Sequence, residues 1–311
     1  MEWLAGGGAA RPDRQRSTIS IEEKLFEWRP DWSNVGALIK SYTEFGGNFM
    51  DLGLNGKRAI VTGASRGIGN AVALALGGEG ARVCGTARNE EWLAQTVKDI
   101  DAAGGEGMSA PADLTGLDGC QSVVDACAAN WGGVDILVNV AGAAKGGDIL
   151  DLPADLVSDA LALKSFGYLR MAQLVIPHMQ TNKWGRIVNI GGGAGASPAR
   201  GNIPTSIANA MVLNTTRALS DAVSGDGILV NVINPGVTNT QRARDTQQAR
   251  ADKEGVSVED LLKDLGSKLP AGRIAEPEEI ARVACFFASA ACSYVFGSSL
   301  YMDGGQRRST P

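Results

Sequence analysis

The stretch "RAIVTGASRGIG", residues 58–69, contains a strand, a glycine-rich turn and the start of a helix. Its first part, "RAIVTGA", is a continuous apolar run, which is typical of a parallel strand covered on both faces. The pattern then changes, and we predict a helix from about Gly67 to Leu76. A strand that enters a helix through such a turn indicates the first unit of an α/β fold.

The same alternation continues to the end of the chain. Six further strands are predicted, in "ARVCGTA", "EGMSAPADL", "VDILVNVAG", "GRIVNIGG", "ILVNVINPG" and "SSLYMDGG", with helices between them. This order predicts a doubly wound parallel sheet with right-handed crossovers, the Rossmann fold. We expect one such α/β domain over residues 54–311, with a charged lid at about 241–272. A partly helical, tryptophan-containing arm over residues 1–53 either packs on the domain or a neighbouring subunit, or covers a substrate.

Three glycines in the turn each have a physical use. Gly63 permits a tight turn, Gly67 lets the backbone approach a pyrophosphate, and Gly69 lets the helix pack closely on the strand. The helix N-terminus adds free N–H groups and the positive end of its dipole. Their place between the first strand and the first helix predicts a dinucleotide site, against the alternative of a merely tight turn.

The end of the second strand indicates which dinucleotide is preferred. An acidic residue there would bind a free ribose 2′-hydroxyl, but Ala87 stands at this place and Arg88 follows it. Arg88, and Arg66 in the glycine loop, are suited to a 2′-phosphate. We therefore predict NADP(H) rather than NAD(H); the alternative is that Arg88 is a solvated surface residue.

Composition excludes several other classes of function. The formal net charge is -5, so there is no basic excess to neutralise nucleic-acid phosphates. The five cysteines are scattered without zinc-ligand spacing, and no metal cluster or Ser-His-Asp arrangement is visible. We find no signal peptide and no apolar run long enough to span a membrane, and we expect a cytoplasmic protein.

From about Leu54 to Gly305 the chain resembles the short-chain dehydrogenase/reductase family, in particular its β-ketoacyl-carrier-protein-reductase-like members. The matching motifs are "TGASRGIG", "ADL", "NVAG", "NPGVTNT", "GRIAEPEEIARVACFFAS" and "GSSLYMDGG". The resemblance implies cofactor contacts at Gly63, Ser65, Arg66, Gly67, Ile68, Gly69, Arg88, Asp113, Leu114, Asn139, Ala141, Gly142, Pro235, Gly236, Val237 and Thr240. It also implies a homodimer or homotetramer and a small-molecule substrate.

The chain departs from the family at all four positions of its catalytic Asn-Ser-Tyr-Lys tetrad. Ala162 in "LALK" replaces the Asn, and Gly192 in "NIGG" replaces the Ser. An ungapped match puts Thr205 at the tyrosine and Asn209 at the lysine. A slipped register does not restore the motif, because no tyrosine lies between Tyr168 and Tyr294.

These replacements remove the family's proton donor. A tyrosine whose pKa is lowered by a nearby ammonium can exchange a proton as hydride moves, whereas a threonine hydroxyl is far less acidic. Lys145, Thr205 and Asn209 are the candidate replacements in this sequence. The alternatives are a solvated loop lysine and, for Thr205 and Ser206, helix capping.

Several other polar residues are candidates for a binding or a structural role. Ser197 and Arg200 follow the fifth strand and either bind an anionic group or shape the loop. His178, Asp148 and Asp151 are expected to be structural or solvated. Two functions remain open: an NADP(H)-dependent oxidoreductase with a nonstandard active site, reducing an enone, enoyl or carbonyl substrate, or an inactive subunit or NADP(H)-binding regulator paired with an active relative.

Overall fold

The structure of the protein is a computed structural model that describes residues 50–142 and 146–308. The predicted arm, residues 1–53, lies outside the described residues except for its last four. None of the described helices is long and apolar enough to cross a membrane. The described residues also contain no group of His, Cys, Asp and Glu side chains placed to hold a metal ion.

A seven-stranded parallel sheet forms the centre, in the order β3-β2-β1-β4-β5-β6-β7. The strands are β1 (Arg58–Thr62), β2 (Arg82–Thr86), β3 (Glu106–Ser109), β4 (Ile136–Asn139), β5 (Gly185–Ile190), β6 (Ile228–Pro235) and β7 (Ser299–Met302). The order reverses beside β1, as in doubly wound dinucleotide-binding folds. The predicted fold class is therefore confirmed, although the third strand is shorter than the predicted "EGMSAPADL".

Helices cover both faces of the sheet. They are α1 (Gly67–Gly78), α2 (Glu90–Ala102), α3 (Leu117–Trp131), α4 (Ala154–Ala160), α5 (Gly167–Asn182), α6 (Ile203–Val223), α7 (Gln241–Glu254), α8 (Val258–Ser267) and α9 (Pro277–Ala288). Two separate apolar clusters lie on opposite faces of the sheet. One includes Val61 and Leu76, and the other includes Ile60 and Met171. Burial on both faces explains why the strands are apolar throughout.

The helical stretch before β5 is not one regular helix. A π-helical segment, Leu161–Phe166, lies between α4 and α5. π-helical turns are rare and frequently mark functional sites. Lys164 lies within this segment.

Two helices begin with capping residues that are visible in the sequence. The Ser257 side chain accepts a hydrogen bond from the Asp260 amide, at 3.0 Å, and caps α8. Pro277 opens α9, where Glu276 and Glu279 form a capping box. The start of each helix is therefore determined by local residues.

Candidate functional site

A cavity of about 940 Å³ lies at the carboxyl ends of the central strands. Its volume is near the upper end of the range for small-molecule and cofactor sites. Among the residues with predicted cofactor contacts, its walls contain Gly63, Arg66, Gly67, Ile68, Gly69, Ala141, Gly142, Pro235, Gly236, Val237 and Thr240. The tetrad positions Gly192, Thr205 and Asn209 line the same cavity.

The glycine turn after β1 has the geometry that its sequence predicts. Gly63 has a φ of +68°, and its amide donates to the Thr86 carbonyl oxygen at 2.7 Å. A Cβ atom at Gly69 would collide with the Gly63 carbonyl oxygen, so only glycine lets α1 start this close to the turn. The first turn of α1 contains no acidic residue, and Gly67, Ile68 and Gly69 face the cavity. The cradle fits a pyrophosphate at a helix N-terminus.

Other predicted cofactor residues lie outside the cavity wall. Arg88 and Asp113 are exposed beyond the ends of β2 and β3, near enough for the Arg88 charge to act on the Asp113 carboxyl. Hydrogen bonds from Thr115, and secondarily this charge, hold the pKa of Asp113 below its usual range. Ser65 is half-buried in the turn, and Leu114 is buried in the core.

Asn139 lies beneath the cavity. It is fully buried, and its amide donates to Oδ1 of Asn189 at 3.0 Å on the neighbouring strand β5. Asn189 in turn donates to the Thr216 hydroxyl at 2.9 Å. The Asn139 side chain therefore couples the strands under the site and is not exposed in its wall.

The segment after β6 closes one side of the cavity. The Gly236 amide donates to the Met302 carbonyl oxygen at 3.0 Å, which holds this segment against β7. The Thr240 hydroxyl accepts from the Ala243 amide at 3.2 Å and caps α7. A Cβ atom at Gly67 would lie 3.3 Å from the Thr240 methyl group, so the segment approaches the glycine turn closely.

Two tetrad positions fit one another directly. A Cβ atom at Gly192 would lie 2.7 Å from Nδ2 of Asn209. Asn209 is 2% exposed, and its Oδ1 has no hydrogen-bond partner within residues 50–142 and 146–308. Because buried polar atoms are normally paired, this orphaned acceptor in the cavity wall indicates a donor from a ligand or a water molecule.

The other two positions matched to the tetrad differ in whether they line the cavity. Thr205 lines the cavity from the first turn of α6, whereas Ala162 does not line it. Lys164, two residues after Ala162, does. Sequence matching did not select Lys164 as a site residue, although it lies within the matched segment "LALK". The available signal was a lysine within an otherwise apolar helical stretch.

Lys164 is an amine in an unusual environment. Its Nζ donates to the Gly191 carbonyl oxygen at 2.8 Å, and its stem packs against Gly142. Burial, and secondarily the positive charge of Arg242, lowers the pKa of Lys164 to about 7. Tyr168, one turn later, donates from its hydroxyl to the Ile190 carbonyl oxygen at 3.2 Å, and burial raises its pKa.

The charges that line the described part of the cavity are mainly positive. The cationic side chains are Arg66, Lys164, Arg242, Arg307 and Arg308, and the acidic one is Asp303. Both Asp303 carboxylate oxygens accept backbone amides, from Gly305 and Arg307, each at 3.0 Å. Arg242 donates to the Gly142 carbonyl oxygen. The cavity therefore favours anionic ligands.

The other polar residues considered from the sequence lie partly in the cavity wall and partly outside it. Lys145 lies outside the described residues. Ser197 lines the cavity, but Arg200 is exposed and paired with Asp148 at 2.7 Å, so Asp148 is not simply solvated. Ser206 does not cap α6, because its hydroxyl donates to the Asn202 carbonyl oxygen at 2.8 Å from within the helix. The α6 N-terminus has no side-chain cap, so the capping role predicted for Thr205 is also wrong.

Comparison with known proteins places the chain in a family. A family model described as enoyl-(acyl carrier protein) reductase matches residues 63–307. The 3-oxoacyl-[acyl-carrier-protein] reductase of Vibrio cholerae is 33% identical over 254 residues, which is 82% of this chain and 98% of that protein.

Solved structures give the same result. L-sorbose reductase from Gluconobacter frateurii, solved with NADPH and L-sorbose, has a TM-score of 0.81 at 28% identity, covering 84% of this chain and all of that one. A 3-oxoacyl-(acyl-carrier-protein) reductase from Agrobacterium tumefaciens, solved with NADP bound, has a TM-score of 0.76 at 29% identity, covering 84% and 99%. With the glycine turn, the sheet order and the family match in agreement, the chain belongs to the short-chain dehydrogenase/reductase family, among relatives of the β-ketoacyl-carrier-protein reductases.

Proposed function

We propose that this protein is an NADP(H)-dependent oxidoreductase whose acid–base chemistry does not use the family's Asn-Ser-Tyr-Lys tetrad. The observation that carries this proposal is one cavity that combines a well-formed glycine turn with Gly192, Thr205 and Asn209 at the tetrad positions. None of these three side chains exchanges a proton readily near neutral pH.

The cofactor half of the proposal rests on the turn after β1 and the residues beside it. The first turn of α1 would hold the pyrophosphate through its N–H groups, and Pro235, Gly236 and Val237 would lie along the nicotinamide. Arg88 and Arg66 would bind the 2′-phosphate, which is the reason for preferring NADP(H). When bound, the reduced nicotinamide supplies hydride to the substrate.

The substrate half is a small molecule with an electrophilic carbon. A conjugated C=C bond fits best, because hydride adds to carbon and the proton can come from water or from a side chain outside the tetrad. A ketone is the second choice. The positive lining of the cavity favours an anionic substrate or an anionic carrier group.

Residues 241–272 act in this proposal as the lid over the substrate. Gln241, Arg242, Thr246 and Leu262 within it line the cavity, and Arg242 contacts the Gly142 carbonyl on the opposite wall. A small apolar cluster that includes Ala251 and Leu261 holds α7 and α8 together. The lid therefore has its own packing and reaches across the site.

The test starts with binding titrations of NADPH and NADH, followed by NADPH oxidation with a panel of enones, enoyl thioesters and 3-ketoacyl thioesters. We expect tighter binding of NADPH and turnover with at least one class. Absence of NADPH binding would refute the cofactor half, and binding without oxidation of NADPH by any member would refute the catalytic half.

A second candidate is a catalytically inactive subunit or NADP(H)-binding regulator that pairs with an active relative. It is favoured by the same loss of titratable groups at Gly192, Thr205 and Asn209, and by the exposed apolar side chains of Leu117 and Phe166 beside α3 and α5. Purification from the native host distinguishes the two. A homodimer or homotetramer with turnover supports the enzyme, whereas co-purification with another family member and no turnover alone supports the regulator.

A further inference from the structure

We propose that Lys164 is the acid–base residue of this cavity, giving a proton to the substrate on reduction and taking it back on oxidation. This inference rests on the proposed function, because it assigns the proton transfer that accompanies hydride transfer there. It places the chemistry on the π-helical segment between α4 and α5, whereas the family motif would place it on α6.

The first support is position. The Lys164 stem packs against Gly142 in the loop after β4, where a Cβ atom at Gly142 would lie 3.1 Å from Cδ of the lysine. The amine donates to the Gly191 carbonyl oxygen at 2.8 Å, at the end of β5. The next residue, Gly192, touches Asn209 with its orphaned acceptor. The amine thus lies at the wall that carries two of the tetrad positions.

The second support is hydrogen-bonding capacity. A protonated amine has three N–H donors, and the Gly191 carbonyl oxygen accepts one of them in the structure. No other acceptor among the described residues takes the remaining two, which can reach a group within the cavity such as a substrate oxygen. The acidic residue that lines the described part of the cavity, Asp303, is already engaged by backbone amides. Lys164 therefore forms no ion pair with a described residue.

The third support is titration in a setting of positive charge. The charged and titratable groups around the cavity are Arg66, Arg242, Arg307, Arg308, Asp303, Tyr168 and Tyr301. Arg242, from the lid, and burial lower the pKa of Lys164 to about 7. A proton donor is most effective when its pKa lies near the working pH.

The other hydroxyl groups are less suitable. The Tyr168 hydroxyl already donates a hydrogen bond to the Ile190 carbonyl oxygen, and burial raises the pKa of Tyr168. Tyr301 lines the cavity from β7, where the Arg307 guanidinium lies 4.2 Å from its ring centre. It is two strands away from the Gly191 carbonyl that holds Lys164. Tyr301 is therefore the alternative that the experiment must distinguish.

Lys164, the substrate and water account for every proton in this step. On reduction the substrate gains hydride at carbon and a proton from the Lys164 ammonium, and the C=C or C=O π bond is lost. Lys164 is left as a neutral amine and regains a proton from water entering the cavity. On oxidation the neutral amine accepts the proton as hydride leaves the substrate.

The experiment uses the full chain labelled with ¹³Cε-lysine and follows each lysine resonance with pH by NMR. The Lys164 signal is assigned by its loss in Lys164→Arg, and Lys98→Arg, at an exposed helix position, controls for the general effect of such a change on the spectrum. We expect Lys164 to titrate near pH 7, whereas a free lysine has a pKa of about 10.4. Titration of Lys164 at the free-lysine value of about 10.4 would overturn the proposal without any activity measurement.

Turnover is then measured with the substrate found in the panel. Lys164→Met is expected to lower kcat by about 10² to 10⁴-fold and to remove the pH limb near 7, and Lys164→Arg is expected to do the same, because arginine does not release its proton. Retention of that limb, or its loss in Tyr301→Phe instead, would overturn the proposal. NADPH binding and turnover with an ordinary Lys164 titration refute only this inference, whereas no turnover with any substrate refutes both proposals.

Discussion

Gly192 and Asn209 fit one another so closely that a Cβ atom at Gly192 would lie 2.7 Å from the Asn209 side-chain nitrogen. The sequence match assigns these two positions to the family's serine and lysine. Gly192 and Asn209 are matched in size, and a serine at 192 would need Asn209 to move. The two residues therefore form one packed arrangement.

We expect Gly192→Ala to lower the free energy of unfolding by about 1–3 kcal/mol, the usual cost of overpacking. In an Asn209→Ala background the same change should cost at least about 1 kcal/mol less, because the colliding amide is gone. Urea unfolding of the four proteins in this double-mutant cycle measures the coupling. Strict additivity would show that the two positions do not contact each other.

The glycine turn predicts a sharp difference between two glycines of α1. Gly69→Ala should lower NADPH affinity by about 10-fold or more, because its Cβ collides with the Gly63 carbonyl oxygen and moves the helix start. Gly78→Ala is the matched control, since a Cβ atom there meets nothing within 4 Å and the position is exposed. Fluorescence titration measures the affinity of each variant, and equal losses would contradict the proposed cradle.

Arg88 should decide the choice between the two dinucleotides. Arg88→Ala is expected to weaken NADPH binding by about 10-fold or more, the value of a charged hydrogen bond, and to leave NADH binding nearly unchanged. Arg217→Ala, which removes an exposed arginine paired with Asp221 on α6, is the charge control. Titration of each variant with both nucleotides gives the ratio of NADPH affinity to NADH affinity. If Arg88→Ala weakens both equally, the residue does not bind the 2′-phosphate.

Lys164 should make stability depend on pH in a defined direction. Its folded pKa is about 7 against an ordinary value of 10.5, so between these pH values the unfolded chain binds one more proton. Stability therefore rises with pH in this window, by at most about 1.4 kcal/mol per pH unit. Below pH 7 both states are protonated and the full burial penalty is present.

Lys164→Met removes this dependence. We expect the variant to exceed the wild type most in free energy of unfolding below pH 7, and the difference to shrink toward pH 10.5. Urea unfolding across this pH range provides the measurement, and a constant difference between Lys164→Met and wild type would refute the lowered pKa.

Arg242 should control the same titration from the lid. Its positive charge is the second cause of the lowered Lys164 pKa, after burial. Arg242→Gln is therefore expected to raise that pKa by less than the effect of burial itself. Arg244→Gln is the control, because Arg244 lies in the same helix and pairs with Glu259 at 3.5 Å. NMR of labelled lysine measures the pKa of Lys164 in both variants. An unchanged or lowered pKa in Arg242→Gln would show that the Arg242 charge does not act on Lys164.

The fold was predictable because its signals are local. The apolar run before Gly63 and the spacing of the glycines after it determine a strand, a turn and a helix whatever lies elsewhere in the chain. The same holds for the Ser257 cap and for Pro277 at its helix start. The residues around the glycine turn could be placed for the same reason.

The catalytic half was less predictable because it depends on non-local contacts. Motif matching selected Thr205 and Asn209, which line the cavity, but it also selected Ala162, which does not, and it did not select Lys164, which does. It also could not show that Asn139 is buried beneath the site, because that follows from the pairing of β4 with β5.

By itself, then, the sequence determined the order of strands and helices, the glycine turn and a sixth helix without tyrosine or lysine. Only the tertiary structure brought Gly142, Lys164, Gly191 and Arg242 together from four separate parts of the chain. The physical reason is that hydrogen-bonding patterns repeat along a chain, whereas the desolvation and electrostatic field at one amine are set by atoms that are distant in sequence.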